Sequence, residues 1–326
     1  MTDTIPIRYK LENISPRAYE HPADRAATAA LRSIPMLDSL IGRLTELQYE
    51  RAFRQLFLGN SVKIGPEQLP HIWDSYLHVL DTLDMPDVYD LYITQTPIAN
   101  AFVMGVSQPM IVINSGIVDL LNPDELESVL AHEVGHILSE HVTYRTALLI
   151  LIALGSVGVP ALAGLPLMAL RLALLEWYRA AELSADRAAT LVVRDPLIFC
   201  RGMMHMAGGP AAQNLNLDAF IKQANDYESA EDGLDKGLRF FLELGVSHPF
   251  PVRRVSELMK WVQSGDFDRI IRGEYAKRDE KHDPRQDMAD AADFYRERFA
   301  DLMGGATDGM RDWSQQVSDW LRSNKK

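Results

Sequence analysis

The chain has 326 residues, enough for a large hydrophobic core and one or two domains. Its formal charge of -12 excludes a nucleic-acid binder, because such binding rests on Lys and Arg neutralising phosphates. Cys200 is the only cysteine, so no internal disulfide can form and a reducing, cytoplasmic compartment is expected.

Residues 1–20 read as irregular, and no apolar stretch follows a basic start, so no signal peptide is expected. Residues 23–58 read as helical, interrupted at Pro35, with Leu37, Leu40, Ile41, Leu44 and Leu47 on one apolar stripe. The stripe predicts that residues 1–60 form a helical extension packed on the domain that follows. A short strand is expected at 61–64 and an amphipathic helix at 66–83. His71 and His78 lie seven apart on that helix and read as surface or core residues. Residues 89–94, 101–105 and 110–114 are short, apolar and β-favouring, which predicts a small sheet.

The helix that follows carries the strongest chemical signal. Asn122 suits an N-cap, Pro123 the first helical position and Glu125 the acid of a capping box. Leu126, Val129, Leu130, Val134, Ile137 and Leu138 form its apolar face. Within it stand His132, Glu133 and His136, the pattern His-Glu-x-x-His. Four residues apart on a helix, the two imidazoles project from one face about 5–6 Å apart at Cβ. That spacing lets both bind one Zn²⁺ at roughly 2.0–2.1 Å, with Glu133 beside the metal, in reach of a bound water. Gly135 costs the helix about 1 kcal/mol against Ala, which predicts close packing or ligand access there. A third ligand is needed. His141, five residues past His136, would be turned about 140° away on a continuing helix. The longer metzincin pattern needs glycine at 139 and histidine at 142, where Ser139 and Val142 stand.

Residues 147–170 contain no charge over 24 positions. One bilayer crossing would put the flanking metal ligands on opposite sides, and two crossings need about 40 apolar residues. Gly155, Gly158, Pro160, Gly164 and Pro166 break the run, so two short helices joined by a turn are expected. The resulting hairpin at 147–175 is either buried or self-associating, or dips into a membrane face. The helix at 174–193 then offers Glu182 and Asp186 four apart, with Arg179 on the same face. Glu182 completes a His₂Glu ligand set, and Asp186 is placed to accept a hydrogen bond from a ligand imidazole. Further helices are expected at 197–206, 218–224, 233–244 and 252–262. His205 reads as structural and Cys200 as core. Residues 266–326 read as a charged linker followed by amphipathic helices bearing Trp313 and Trp320.

Four motifs stand out along the chain: Asn100-Ala101-Phe102, HEVGH, the Glu182/Asp186 frame behind Arg179, and His248-Pro249 with Arg254 beyond it. Together they resemble the HtpX and CAAX prenyl-protease family of gluzincins over residues 89–258. The resemblance implies an α+β, mostly helical fold with a zincin-like core (a minimal gluzincin) across 61–265 and a small sheet ahead of the metal helix. It implies a zinc endopeptidase with one Zn²⁺ per chain, acting on peptides or unfolded proteins, in protein quality control. His132, His136 and Glu182 would be ligands and Glu133 the base. His248 and Arg254 would support the oxyanion or substrate, unless Arg254 pairs with Asp186. Asn100, Ala101 and Phe102 would border the cleft, unless Phe102 and Val103 are core and Asn100 a turn residue. Two rivals stand beside this: a non-proteolytic chaperone-like or scaffolding zinc protein, and a membrane-associated processing protease. Peripheral membrane contact or self-association would run through 147–175 or the C-terminal helices.

Overall fold

A computed structural model describes residues 9–32, 34–46, 48–106, 108–153, 167–229 and 250–280. The turn of the apolar hairpin, the helix expected at 233–244, His248 and the C-terminal helices lie outside the described residues.

Proline marks where many helices begin, because its fixed φ suits the first turn and its missing N–H has no partner to lose. Pro22, Pro35, Pro70, Pro123, Pro196 and Pro251 open α1 (Pro22–Arg32), α2 (Pro35–Glu46), α4 (Pro70–Thr82), α6 (Pro123–Leu138), α9 (Pro196–Gly208) and α11 (Pro251–Gln263). The others are α3 (Tyr49–Asn60), α5 (Ser115–Leu120), α7 (Val142–Ala153), α8 (Leu167–Val193), α10 (Leu217–Ser229) and α12 (Asp266–Ile271). The helix expected from 66 starts at Pro70, because Leu69 holds a left-handed φ of 55° just before it.

The strands are β1 (Ser61–Lys63), β2 (Asp90–Thr94), β3 (Ala101–Met104) and β4 (Met110–Asn114), in the order β1-β2-β4-β3. β2 and β4 are parallel and the outer pairs antiparallel, with Ala101 opposite Ile113 and Val103 opposite Ile111. Alternation sorts the side chains onto two faces. Leu91, Ala101, Val103, Ile111 and Ile113 join the main core with Val134 and Leu138 of α6 and Tyr76 and Val79 of α4. Tyr92, Met104, Met110 and Val112 face the other way, with Phe57 and Phe102 packed against them. The molecule is thus α+β and mostly helical.

Helices α6 and α8 form the central pair. A Cβ added at Gly135 would lie 2.8 Å from the Cβ of Ala188, so glycine permits the approach. The hairpin legs α7 and α8 bury Ala147, Leu148, Leu151, Leu170, Leu174 and Trp177 against Ala23, Ala27, Leu37 and Leu40 of α1 and α2. Among the described residues, no helix is long and apolar enough to cross a membrane. The main core continues past residue 265 through Phe267 and Ile270 of α12.

Candidate metal centre

The start of α6 is fixed by a complete capping box. The Glu125 N–H donates to Asn122 Oδ1 at 3.0 Å, and the Asn122 N–H donates to Glu125 Oε2 at 3.2 Å. Two and a half turns on, His132 and His136 face α8 and are buried with Glu182. The Nε2 atoms of the two histidines lie 3.1 Å apart. Glu182 Oε1 is 3.1 Å from His136 Nε2, and Glu182 Oε2 is 3.4 Å from His132 Nε2. Tetrahedral ligands at about 2.0–2.1 Å from zinc stand roughly 3.3 Å from one another, so this triangle matches such an ion.

The proton positions fit as well. His132 Nδ1 lies 3.0 Å from Asp186 Oδ1. A proton on that nitrogen bonds the carboxylate and leaves Nε2 with a bare lone pair aimed at the other donors. Asp186 is held in turn by Arg254, whose Nε donates to Oδ2 at 2.9 Å while Nη2 donates to Oδ1. Arg254 Nη1 also lies 3.4 Å from Glu182 Oε2. Glu133 is buried beside the triangle and accepts from Arg145 Nη1 at 2.9 Å. A pocket of ≈ 50 Å³ opens over these groups, lined by Asn100, Ala101, His132, Glu133, Glu182 and Arg254 among others.

Residues 68–262 match the model of peptidase family M48. The chain belongs to that family. It is also 34% identical to the plastoglobule-localized metallopeptidase 48 of Arabidopsis thaliana over 259 residues, 78% of this chain and 75% of that protein. Protease HtpX homologs are similar over shorter stretches. The one from Tropheryma whipplei is 30% identical over 95 residues, 28% of this chain, and that from Pelotomaculum thermopropionicum 34% over 85 residues, 26% of this chain. The matches span about a third of the length of those two homologs, 32% and 30%. No solved structure matches significantly. This M48 chain is therefore a zinc-dependent metallopeptidase.

The residues expected at the M48 centre fall out unevenly. His132, Glu133, His136, Glu182, Asp186 and Arg254 are brought together. Asn100 and Ala101 line the pocket, whereas Phe102 points to the far sheet face, edge-on to Phe57 at 5.4 Å. Strand alternation forbids Ala101 and Phe102 from sharing a face, so the expected trio splits. Arg179 is buried and paired with Glu176 one turn earlier.

Three neighbours escaped the sequence reading. Arg145, four residues past His141, is 2% exposed and carries its charge into the centre. Tyr178 stacks on His136 at 6.2 Å, with the Arg145 guanidinium 5.1 Å over its ring. His141 Nδ1 stands 3.0 Å from His136 Nδ1. A lone arginine at the head of an apolar helix was a usable signal, because a buried guanidinium needs an anion. These surroundings set the charges of the metal-free site. Burial opposes a charge on His132, but the Glu182 carboxylate, helped by Asp186, pushes its pKa up to about 9. Burial, with Arg145 nearby, holds His136 well below the ordinary histidine value.

Proposed function

We propose that the chain is a zinc endopeptidase with a zincin-like core, one zinc per chain, and His132, His136 and Glu182 as its ligands. The observation that carries this is the triangle of converging donor atoms, 3.1, 3.1 and 3.4 Å on its sides, with the Glu133 carboxylate beside it. A zinc ion bound there supplies a Lewis acid for the scissile carbonyl and lowers the pKa of attacking water to about 7. Glu133 takes the proton of that water and delivers it to the leaving amine. Arg145 holds Glu133 in place through its 2.9 Å hydrogen bond. Asp186 fixes the tautomer of His132, and Arg254 fixes Asp186. This assigns Arg254 a positioning role through its carboxylates, and leaves oxyanion support to His248, carried over from the family resemblance.

The substrate is a peptide or unfolded chain entering at the Asn100–Ala101 end of β3. Farther along, α7 covers the strand: Val103 is fully buried, and the Gly105 N–H donates to Thr146 Oγ1 at 3.0 Å. Burial of both hairpin legs against α1 and α2 supports an intramolecular hairpin over a membrane-dipping one. Liposome flotation of the purified protein tests that reading: flotation with the vesicles would favour the membrane-dipping hairpin.

The deciding experiment pairs casein digestion with metal analysis. Glu133→Gln keeps its zinc and loses cleavage, and chelation stops the wild type. A Glu133→Gln protein that cuts at the wild-type rate overturns the assignment of the base.

A further inference from the structure

Behind the metal centre lies a second cluster with the look of a metal site. Donor atoms of Glu20, Asp24 and His141 lie within 4.8 Å of one another. Glu20 and Asp24 also line a cavity of ≈ 590 Å³. Asp24 and His141 are buried, and His141 Nε2 stands 3.0 Å from Asp24 Oδ2. On its other side, His141 Nδ1 stands 3.0 Å from His136 Nδ1.

Proton accounting decides what this cluster does. A metal on His136 Nε2 requires a lone pair there, so the proton of His136 sits on Nδ1. That Nδ1–H points at His141 Nδ1, which must accept it. His141 then carries its own proton on Nε2 and donates it to Asp24. With the first metal bound, both ring nitrogens of His141 are engaged, Nδ1 by His136 and Nε2 by Asp24, and none is left for a second cation. Asp24 also accepts from two hydroxyls: Ser184 Oγ at Oδ2, 2.6 Å, and Thr28 Oγ1 at Oδ1, 3.2 Å. Thr28 Oγ1 itself accepts from Trp177 Nε1 at 2.8 Å, which turns its hydroxyl proton toward Asp24.

We propose that His141 and Asp24 are positioning residues that lock His136 in its metal-binding tautomer, through the relay His136 Nδ1–H to His141 and His141 Nε2–H to Asp24. The inference rests on the zinc-site reading above. It makes the N-terminal helix α1, through Asp24, a working part of the centre. The backbone is shaped for the task. Helix α6 ends at Leu138, and Glu140 takes a left-handed φ of 58°. The His141 N–H then donates to the His136 carbonyl at 2.9 Å, which returns the His141 ring to the ligand.

Two measurements on full-length protein test it. Zinc affinity is measured by chelator competition for wild type, His141→Leu, His141→Gln and Asp24→Asn. His141→Leu has the size of the ring but cannot accept or donate, and should bind zinc about 10–100-fold more weakly. His141→Gln offers a carbonyl and an amide, and should recover part of that loss. Independently, ¹H–¹⁵N correlation spectra of histidine-labelled, zinc-loaded wild type should show His141 protonated on Nε2 and His136 on Nδ1. Wild-type affinity in His141→Leu, or a proton on His141 Nδ1 in the loaded protein, overturns the relay while leaving the zinc site standing. A wild-type protein that takes up no zinc overturns the zinc-site reading as well. The spectra need no variant, so a substitution that prevents folding does not shield the proposal.

Discussion

Arg145 bonds the proposed catalytic base and is the most consequential single residue outside the motif. Its guanidinium is 2% exposed, and its ion partner, Glu133, is buried with it. Burial disfavours the charge, but Glu133 more than restores it, so the Arg145 pKa is raised. Removing one partner of such a pair strands the other charge in a low-dielectric interior. Arg145→Met should therefore destabilise the metal-free protein by about 3–5 kcal/mol in urea titration, a cost typical of breaking a buried pair. Arg145→Lys, which keeps the charge, should lose less. Glu20 gives a prediction of opposite sense. Burial, and Asp24 alongside, push its pKa up to about 7 from an ordinary 4.5. Between those values the folded state holds a proton that the unfolded state has released, so this group's contribution to stability falls as pH rises from 4.5 to 7. Glu20→Gln removes that slope. Its urea midpoint should exceed the wild-type value at pH 8 and match it at pH 4.5; a variant less stable at pH 8 would contradict the assigned shift.

At the scale of elements, the centre depends on how closely α6 and α8 approach, because the two imidazoles ride on one and Glu182 on the other. Gly135 sets that distance. A methyl at this position meets the Ala188 side chain at 2.8 Å and the Ala185 backbone at 3.5 Å. Gly135→Ala should cost about 1–3 kcal/mol by overpacking and weaken zinc binding by parting the ligands. Gly135→Ala with Ala188→Gly exchanges which helix carries the methyl and should regain much of both losses; a double variant no better than the single would place the strain elsewhere. The same element shows what the sequence disclosed. The capping box at Asn122 and Glu125, the four-residue spacing of His132 and His136, and the tight contact at Gly135 were all legible, because each is a local consequence of helical geometry. His141 was not. Helical projection turned it 140° from His136, but that projection holds only while the helix continues, and Glu140 ends it with φ at 58°. Asp24 was illegible, and Arg145 was legible only as a charge in need of an unnamed anion, for a different reason. Their partners are set by how α1, α6, α7 and α8 assemble, and no spacing within one helix records that. Phe102 was left open between the cleft and the core, and its place opposite Val112 puts it on the sheet face away from the pocket.

On the scale of the whole molecule, the proposed metal centre is the point where segments distant in sequence are tied. His132 and His136 come from α6 and Glu182 from α8. Asp186 brings in Arg254 of α11. His141 brings in Asp24 of α1, where the His21 N–H donates to Ser184 Oγ at 2.9 Å. An unfolded chain holds none of these groups together, so an ion that binds the assembled site must stabilise the fold by mass action. At free zinc about 1,000-fold above its dissociation constant, that stabilisation is about 4 kcal/mol. For a chain of this size, each kcal/mol moves the melting temperature by about 2–4 °C, so chelation should lower it by roughly 8–16 °C. Calorimetry with zinc and with phenanthroline measures this directly. The variants sharpen the reading, since stabilisation follows ligation and not catalysis. Glu133→Gln should keep the full shift while cleaving nothing, because Glu133 holds no metal. Glu182→Ala should lose the shift, its metal-loaded and metal-free forms melting together. A Glu182→Ala protein that still melts several degrees higher with zinc would mean that the ion binds somewhere other than the α6–α8 triangle.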